Sequence, residues 1–278
     1  MPKAAALAAR LREPGIVVAP GCHDAIGAKA IAKAGFEAVY MTGNGLSASL
    51  LGAPDIGLLT MSEMVARARA ISAALDIPVI ADADTGYGNI NNVVRTVAEY
   101  EAAGIAAIHL EDQATPKKCG AMSGLSLISK EEHAEKIRAA VNARANPDFL
   151  IVGRSDARLS LGLAEAIERG QAYAAAGADL VLLEMLQSEE EMREALRKID
   201  APMMFNYVEK RVPALTAQRF EALGFKIVCY PISSTLAYAR LMTRFFAALK
   251  ATGTTQGFEE DMLEIPEYEA LLDRSRYP

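Results

Sequence analysis

One unit recurs along this chain about every thirty residues: a short apolar run, a polar break, and an alanine-rich amphipathic stretch. The apolar runs are Ile16 to Ala19, Ala38 to Met41, Val79 to Ala81, Ala107 to Leu110, Leu150 to Gly153, Leu180 to Leu183, Met203 to Phe205 and Ile227 to Cys229. Short runs of this kind, bounded by turn residues, read as buried strands. Between them, Met61 to Leu75, Asn92 to Ala103, Lys130 to Ala143, Ala164 to Ala176, Glu189 to Ile199 and Leu236 to Ala251 read as helices. Gly35, Gly104, Gly177 and Gly224 stand where helix C-termini favour a left-handed residue. Eight consecutive strand-helix units predict an α/β protein of the (β/α)8 TIM barrel type. A doubly wound sheet uses the same units but rarely eight in one uninterrupted series. No linker or composition shift marks a second domain. Residues 1–278 are expected to form one barrel domain, with 252–278 as a C-terminal helical extension.

A barrel makes a local demand on its sequence: chemistry belongs at the carboxyl ends of the strands, while the opposite ends stay bland. The strand ends carry, in order, Asp24, Thr42-Gly43-Asn44-Gly45, Asp82 with Asp84, His109 with Glu111, Arg154 with Asp156, Glu184, Asn206, and Tyr230 with Ser233 and Ser234. Scattered polar residues would not respect strand polarity in this way, because a buried polar group is costly without a partner.

The 278 residues are 51% apolar, enough for a large core, and the net charge of −6 with interspersed signs gives no basic stripe for nucleic acid or an anionic membrane. A small molecule is the expected partner. Cys22, Cys119 and Cys229 show no paired spacing, no secretory signal precedes them, and no apolar run approaches a membrane span. The expectation is a soluble cytoplasmic protein with free thiols.

The densest chemistry is Asp82-Ala83-Asp84-Thr85-Gly86-Tyr87-Gly88-Asn89. Period-two alternation would point Asp82 and Asp84 the same way, and two adjacent carboxylates suit a divalent cation such as Mg²⁺. Solvated or capping loop carboxylates are the plainer alternative. His109 and Glu111 share a face by the same alternation, so Glu111 extends the acidic cluster, and His109 is either catalytic or a hydrogen-bonded interior histidine. The glycines around Asn44 would let backbone N–H groups hold an anion, or they mark a tight turn, and Asp55 follows a proline as turn residues do. From Ala114 to Gly124 runs a long loop suited to a lid, in which a thiol flanked by lysines and Gly120 could have a lowered pKa and serve as nucleophile or proton donor. Arg154 suits bidentate carboxylate recognition, or pairs with Asp156 to close the barrel mouth. Glu184 and Asn206 could hold or polarise a substrate. Cys22 and Cys229 read as small buried hydrophobes. The piece from Gly257 to Leu272 reads as a short helical segment whose apolar face must be buried somewhere.

The runs from Asp82 to Asn89, Ile108-His-Leu-Glu-Asp-Gln113, Lys117-Lys-Cys-Gly120 and Gly153-Arg-Ser-Asp-Ala157 resemble those of the isocitrate lyase and phosphoenolpyruvate mutase superfamily. The short lyases are the branch most alike: methylisocitrate lyase, 2,3-dimethylmalate lyase and the oxaloacetate-cleaving enzymes. The resemblance implies a barrel whose last helix is exchanged between subunits, a homotetramer, and Mg²⁺ (or Mn²⁺) held directly or through water by Asp55, Asp82, Asp84 and Glu111. It implies that Thr42, Gly43 and Asn44 cradle the 2-oxo acid carboxylate and that Arg154 stabilises the enolate. His109, Glu184 and Asn206 would surround the departing fragment, and Lys117 and Cys119 would lie on a gating loop. The implied reaction is C2–C3 cleavage of a 2-hydroxy, alkyl-substituted di- or tricarboxylate, through a metal-stabilised enolate protonated by Cys119. One departure stands out: the lyases' loop usually reads Lys-(Lys/Arg)-Cys-Gly-His, and here the fifth position is Ala121. Oxaloacetate decarboxylation or hydrolysis, and P–C chemistry on a phosphonopyruvate-like substrate, are the alternatives on the same scaffold. A barrel retained only for binding is the third, which the retained carboxylates disfavour.

Overall fold

The computed structural model describes residues 2–276, so Met1 and the last two positions of the expected extension lie outside the described residues. Eight parallel strands close into a barrel in sequence order: β1 Val17–Cys22, β2 Val39–Met41, β3 Val79–Asp82, β4 Ala107–Glu111, β5 Leu150–Ser155, β6 Leu180–Leu183, β7 Met203–Asn206 and β8 Ile227–Tyr230. β1 pairs with β8 to complete the ring. All eight expected strands are present, but six of them run one to three residues further at the carboxyl end than the apolar runs do. The backbone ladder continues past the last hydrophobe, so Asp82, Glu111, Arg154 and Asn206 are strand residues and not the first residues of loops.

Because successive strand residues face opposite sides, each strand is apolar twice over. Tyr40, Ile80, Leu150, Val152, Leu182, Met204 and Cys229 point into the barrel and pack with Leu7 and Ala8 of α1 (Lys3–Arg12), an N-terminal helix that plugs the floor. Val79, Ala81, Ile108, Leu110 and Ile151 face outward against the helices. The inward positions one step above the floor core are the polar ones, so the candidate site is the top layer of the barrel interior. Register reinforces it: Asp82 stands beside His109 and Glu111 beside Arg154 on paired strands.

The surrounding helices are α2 Ala25–Lys33, α3 Gly43–Leu51, α4 Met61–Ala73, α5 Ile90–Ala102, α6 Lys130–Ala143, α7 Ala157–Ser160, α8 Leu163–Ala175, α9 Glu189–Lys198, α10 Ala217–Leu223, α11 Ser233–Thr252 and α12 Ile265–Leu271. Asp24, expected among the site residues, instead caps α2 by accepting from the Gly27 N–H at 2.7 Å. The last long helix begins three residues earlier than its apolar periodicity suggests. Ser233 and Ser234 are therefore its first turn, bonded to Glu209 and to the Gly21 carbonyl and not turned toward a ligand. No residue of α11 is buried, and Leu236, Tyr238 and Phe246 are 50%, 56% and 59% exposed. α12 returns to the barrel, packing on α2 with Leu271 buried and Lys29 ion-paired to Asp273. Ile265 nearby stays 70% exposed.

Candidate active site

Thr42 follows β2 and caps α3, its hydroxyl accepting from the Gly45 N–H at 3.2 Å. Gly43 is demanded by proximity: a Cβ there would lie 2.5 Å from Asp82 Oδ2. The first turn of α3 thus lies directly against the acidic cluster, where its N-terminal dipole favours an anion. Asp55 is fixed from below by the buried Ser47, whose hydroxyl donates to the carbonyls of Ala53 and Pro54 at 3.1 and 3.0 Å.

Asp82 is the last residue of β3, but the strand does not carry on to Asp84, which adopts φ 47° and donates its N–H to Asp82 Oδ1 at 2.9 Å. The two carboxyls are brought together by this tight turn and not by strand alternation. Lys117 is buried among them, with Nζ 2.7 Å from Asp55 Oδ1 and 2.6 Å from Asp84 Oδ1. Burial pulls its pKa down, but Asp84, Glu111, Asp82 and Asp55 together hold it well above the ordinary lysine range. Asp82 is burdened by burial, yet His109, Lys117 and Arg154 around it hold it down to about 2. Asp84 goes the other way, raised to about 6 by burial and by the neighbouring Asp82 and Asp55 against the pull of Lys117. Burial raises Glu111 well above the carboxylate range against Arg154 and Lys117.

His109 is fully buried, its Nε2 2.5 Å from the Tyr40 hydroxyl and 3.7 Å from Asp82 Oδ1. Burial depresses it to about 4 despite Asp82, so it is neutral at pH 7. Arg154 forms a fork onto Asp156, with Nε and Nη2 at 2.7 and 3.2 Å, and stands 3.4 Å from Glu111 and 3.9 Å from Glu184. The guanidinium and Asp156 therefore do form the pair that closes the mouth, with one face of Arg154 left toward the site. Glu184 accepts from Asn206 Nδ2 at 3.0 Å, and burial, opposed by Arg154, raises it to about 7.

The loop after β4 brings Cys119 to the same place. Its backbone N–H donates to the Asp55 carbonyl at 2.9 Å. The thiol is not activated by the neighbouring lysines: Lys117 is spent on the carboxylates, and burial raises the thiol pKa above its ordinary value. The expected lowered pKa is thus reversed, which leaves a protonated thiol at neutral pH. Gly120 follows because nothing larger fits, since a Cβ there would lie 2.4 Å from Arg154 Nη2 and 2.8 Å from Glu184 Cγ. Thr42, Asn44, Asp55, Asp82, Lys117, Cys119, Arg154, Glu184 and Asn206 all line one cavity of about 40 Å³. It is a narrow cavity beneath the loop that carries Lys117 and Cys119.

Two groups of participants escape a reading by strand ends. Tyr40 is an inward tyrosine among apolar residues, and its partner His109 is visible only across the sheet. Asp112 faces outward behind Glu111, fully buried, accepting from Ser155 Oγ (2.8 Å), the Asp156 N–H (2.9 Å), Arg169 Nη1 (3.0 Å) and the Tyr173 hydroxyl (2.7 Å). It braces Asp156 and, through it, Arg154. A second carboxylate directly after Glu111, at the outward-facing register position just past the strand, is the signal that could have found it.

Among the described residues no three His, Cys, Asp or Glu converge at ligand distance of one point. The donor set still suits a hard divalent cation that keeps much of its water. Glu111 Oε1 is buried with no hydrogen-bond partner, and the Lys117 ammonium shows that one positive centre fits between Asp55 and Asp84.

A closed (β/α)8 barrel with a buried acidic cluster, a forked arginine and a protonated thiol at its carboxyl-terminal rim is the frame of an enzyme acting on small anions. The Phosphoenolpyruvate phosphomutase family profile matches residues 7–250. A 2,3-dimethylmalate lyase of Eubacterium barkeri is 52% identical over 270 residues, 95% of this chain and 93% of that protein. A 2-methylisocitrate lyase of Halalkalibacterium halodurans is 42% identical over 253 residues, 91% of this chain and 83% of that protein. Among solved structures, phosphonopyruvate hydrolase in complex with oxalate and Mg²⁺ superposes with a TM-score of 0.90 at 34% identity, covering 99% of this chain and 96% of the other. The chain belongs to the phosphoenolpyruvate mutase and isocitrate lyase superfamily, and within it stands with the carbon–carbon lyases.

Proposed function

We propose that the protein cleaves the C2–C3 bond of a 2-hydroxy, alkyl-substituted di- or tricarboxylate, giving a pyruvate-like 2-oxo acid and a carboxylate. The observation that carries this reading is Cys119, a half-buried thiol kept protonated and lining the same cavity as Asp82, Arg154 and Glu184. Breaking the bond requires loss of the C2 hydroxyl proton, charge stabilisation on both fragments, and a proton for C3. A thiol above its ordinary pKa is a donor and not a nucleophile at neutral pH.

Asp55, Asp82, Asp84 and Glu111 would hold Mg²⁺, or Mn²⁺ in its place, directly or through water, and the cation would supply positive charge to the emerging 2-oxo acid. The rest of the work falls to side chains. Thr42, Gly43 and Asn44 present the first turn of α3 to the 2-oxo acid carboxylate. A carboxylate of the acidic cluster takes the hydroxyl proton as C2–O becomes a carbonyl, and the C2–C3 electron pair passes to C3 and its carboxylate. Arg154, Glu184 and the Asn206 amide hold that fragment, and the Cys119 S–H delivers the proton to C3. Neutral His109 fixes Tyr40 and Asp82 beneath the site. Lys117 anchors the loop to Asp55 and Asp84 while excluding water. The same reading makes the protein a single barrel domain that works as a homotetramer, with the long C-terminal helix α11 exchanged between subunits to cover its exposed apolar residues.

The test is an assay for 2-oxo acid release from 2,3-dimethylmalate, methylisocitrate, citramalate, oxaloacetate and phosphonopyruvate, with Mg²⁺ and with a chelator. Release from a hydroxy acid that stops on chelation is expected. Cys119→Ser should then lower kcat by roughly 10²–10⁴ while leaving oxalate binding nearly intact. Release only from oxaloacetate or phosphonopyruvate would replace this reading with the corresponding hydrolytic one.

A further inference from the structure

The cavity is chemically two-sided. In an eight-stranded barrel β3 stands across from β7 and β4 across from β8, so Asp82 and Glu111 face the ends of β7 and β8. What those ends contribute above Asn206 is apolar: Val208, Pro231 and Ile232. The loop adds Ala121 beside them, and Ala121 and Ile232, both partly buried, pack against the hydrophobic cluster that contains Val208. The carboxyl groups Asp55, Asp82, Asp84, Glu111, Asp156 and Glu184 are served by two cations, Lys117 and Arg154, and both already have partners at 2.7 Å or less. Arg211 is exposed and donates to the Ala121 carbonyl at 2.7 Å, and its side chain is not part of the lining.

A carboxylate pressed against Ala121, Val208 and Ile232 would be desolvated with no positive partner, a costly placement, whereas methyl groups there replace water on an apolar surface. We propose that the substrate is a dicarboxylate whose C3 carries a small alkyl group and no third carboxylate, and that Ala121, Val208 and Ile232 are the specificity-determining residues. This selects within the lyase reading and rests on it. The discrimination comes from the absence of a counter-charge, so it is larger than the modest factor one methyl group gives in an apolar pocket.

Purified full-length protein with Mg²⁺ is assayed for kcat/KM on 2,3-dimethylmalate and on 2-methylisocitrate. Calorimetry on the same sample compares 2,2-dimethylsuccinate with the tricarboxylate tricarballylate. A ratio of about 100-fold or more in favour of the dialkyl dicarboxylate is expected. In Ala121→His and Val208→Lys that ratio should narrow at least about tenfold through KM for the tricarboxylate, as a counter-charge is supplied. A ratio near one, or a preference for the tricarboxylate, overturns the proposal. If neither hydroxy acid releases a 2-oxo acid, the lyase reading fails and calorimetry decides the selectivity alone. Tighter binding of 2,2-dimethylsuccinate then supports it, and equal or weaker binding overturns it.

Discussion

At the scale of single residues, the site is a set of groups pushed off their ordinary charge states by burial, each compensated by a neighbour. Glu184 and Asp84 are the clearest cases, raised to about 7 and about 6. Both folded values lie above the unfolded ones, so the folded protein binds protons more tightly than the unfolded chain. The associated stability is fully present below about pH 4 and is lost as the pH rises through 6 and 7. In a chelator, the melting temperature is expected to fall between pH 5 and pH 8, and Glu184→Gln should flatten part of that fall; an unchanged slope in the variant would show that Glu184 is not the titrating group. The identities of these residues were legible because inward polar residues at strand ends stand out against an apolar pattern. Their charge states were not. The thiol of Cys119 follows two lysines in sequence, but Lys117 turns onto Asp55 and Asp84, so adjacency in the chain predicts the wrong direction of shift.

At the scale of elements, strand existence was readable throughout, while strand ends were not, because a hydrogen-bonded ladder does not stop where hydrophobicity stops. Asp84 shows the limit from the other side: alternation assumes extended backbone, and its left-handed φ of 47° reaches the same cluster by a turn that no periodicity reports. The loop from Gln113 to Ile128 is held over the site by the Cys119 N–H to Asp55, the Lys117 ion pairs and the packing of Gly120 on Arg154. Gly120 is the position at which the loop's closure is most easily spoiled. Gly120→Ala puts a methyl group 2.4 Å from Arg154 Nη2 and is expected to lower kcat/KM by about 100-fold or more, because displacement of the positioned groups by roughly 1 Å has effects of that size. The melting temperature should change little, since the loop adds little to the core, and a variant with full activity would show that closure tolerates a side chain there.

At the scale of the whole molecule, the barrel is built from two faces with separate duties. α1 seals one end with Leu7 and Ala8 against an apolar interior, and the other end carries the chemistry. Among the described residues no helix is long and apolar enough to cross a membrane, so the exposed hydrophobes of α11 and of the segment before α12 are not a lipid anchor of that kind. The sequence showed that a terminal apolar face needed a cover but not which one, since amphipathicity records that a face is buried and not by whom. Subunit exchange of this region predicts a tetramer by analytical ultracentrifugation and smaller species for Phe246→Glu; a monomer in the unsubstituted protein would refute it. A helix of twenty residues that buries none of them in its own protomer also carries a thermodynamic consequence. Under that exchange part of its stability would be supplied by mass action, so the melting temperature should climb with protein concentration, and dilution alone should act on this protein as a denaturant.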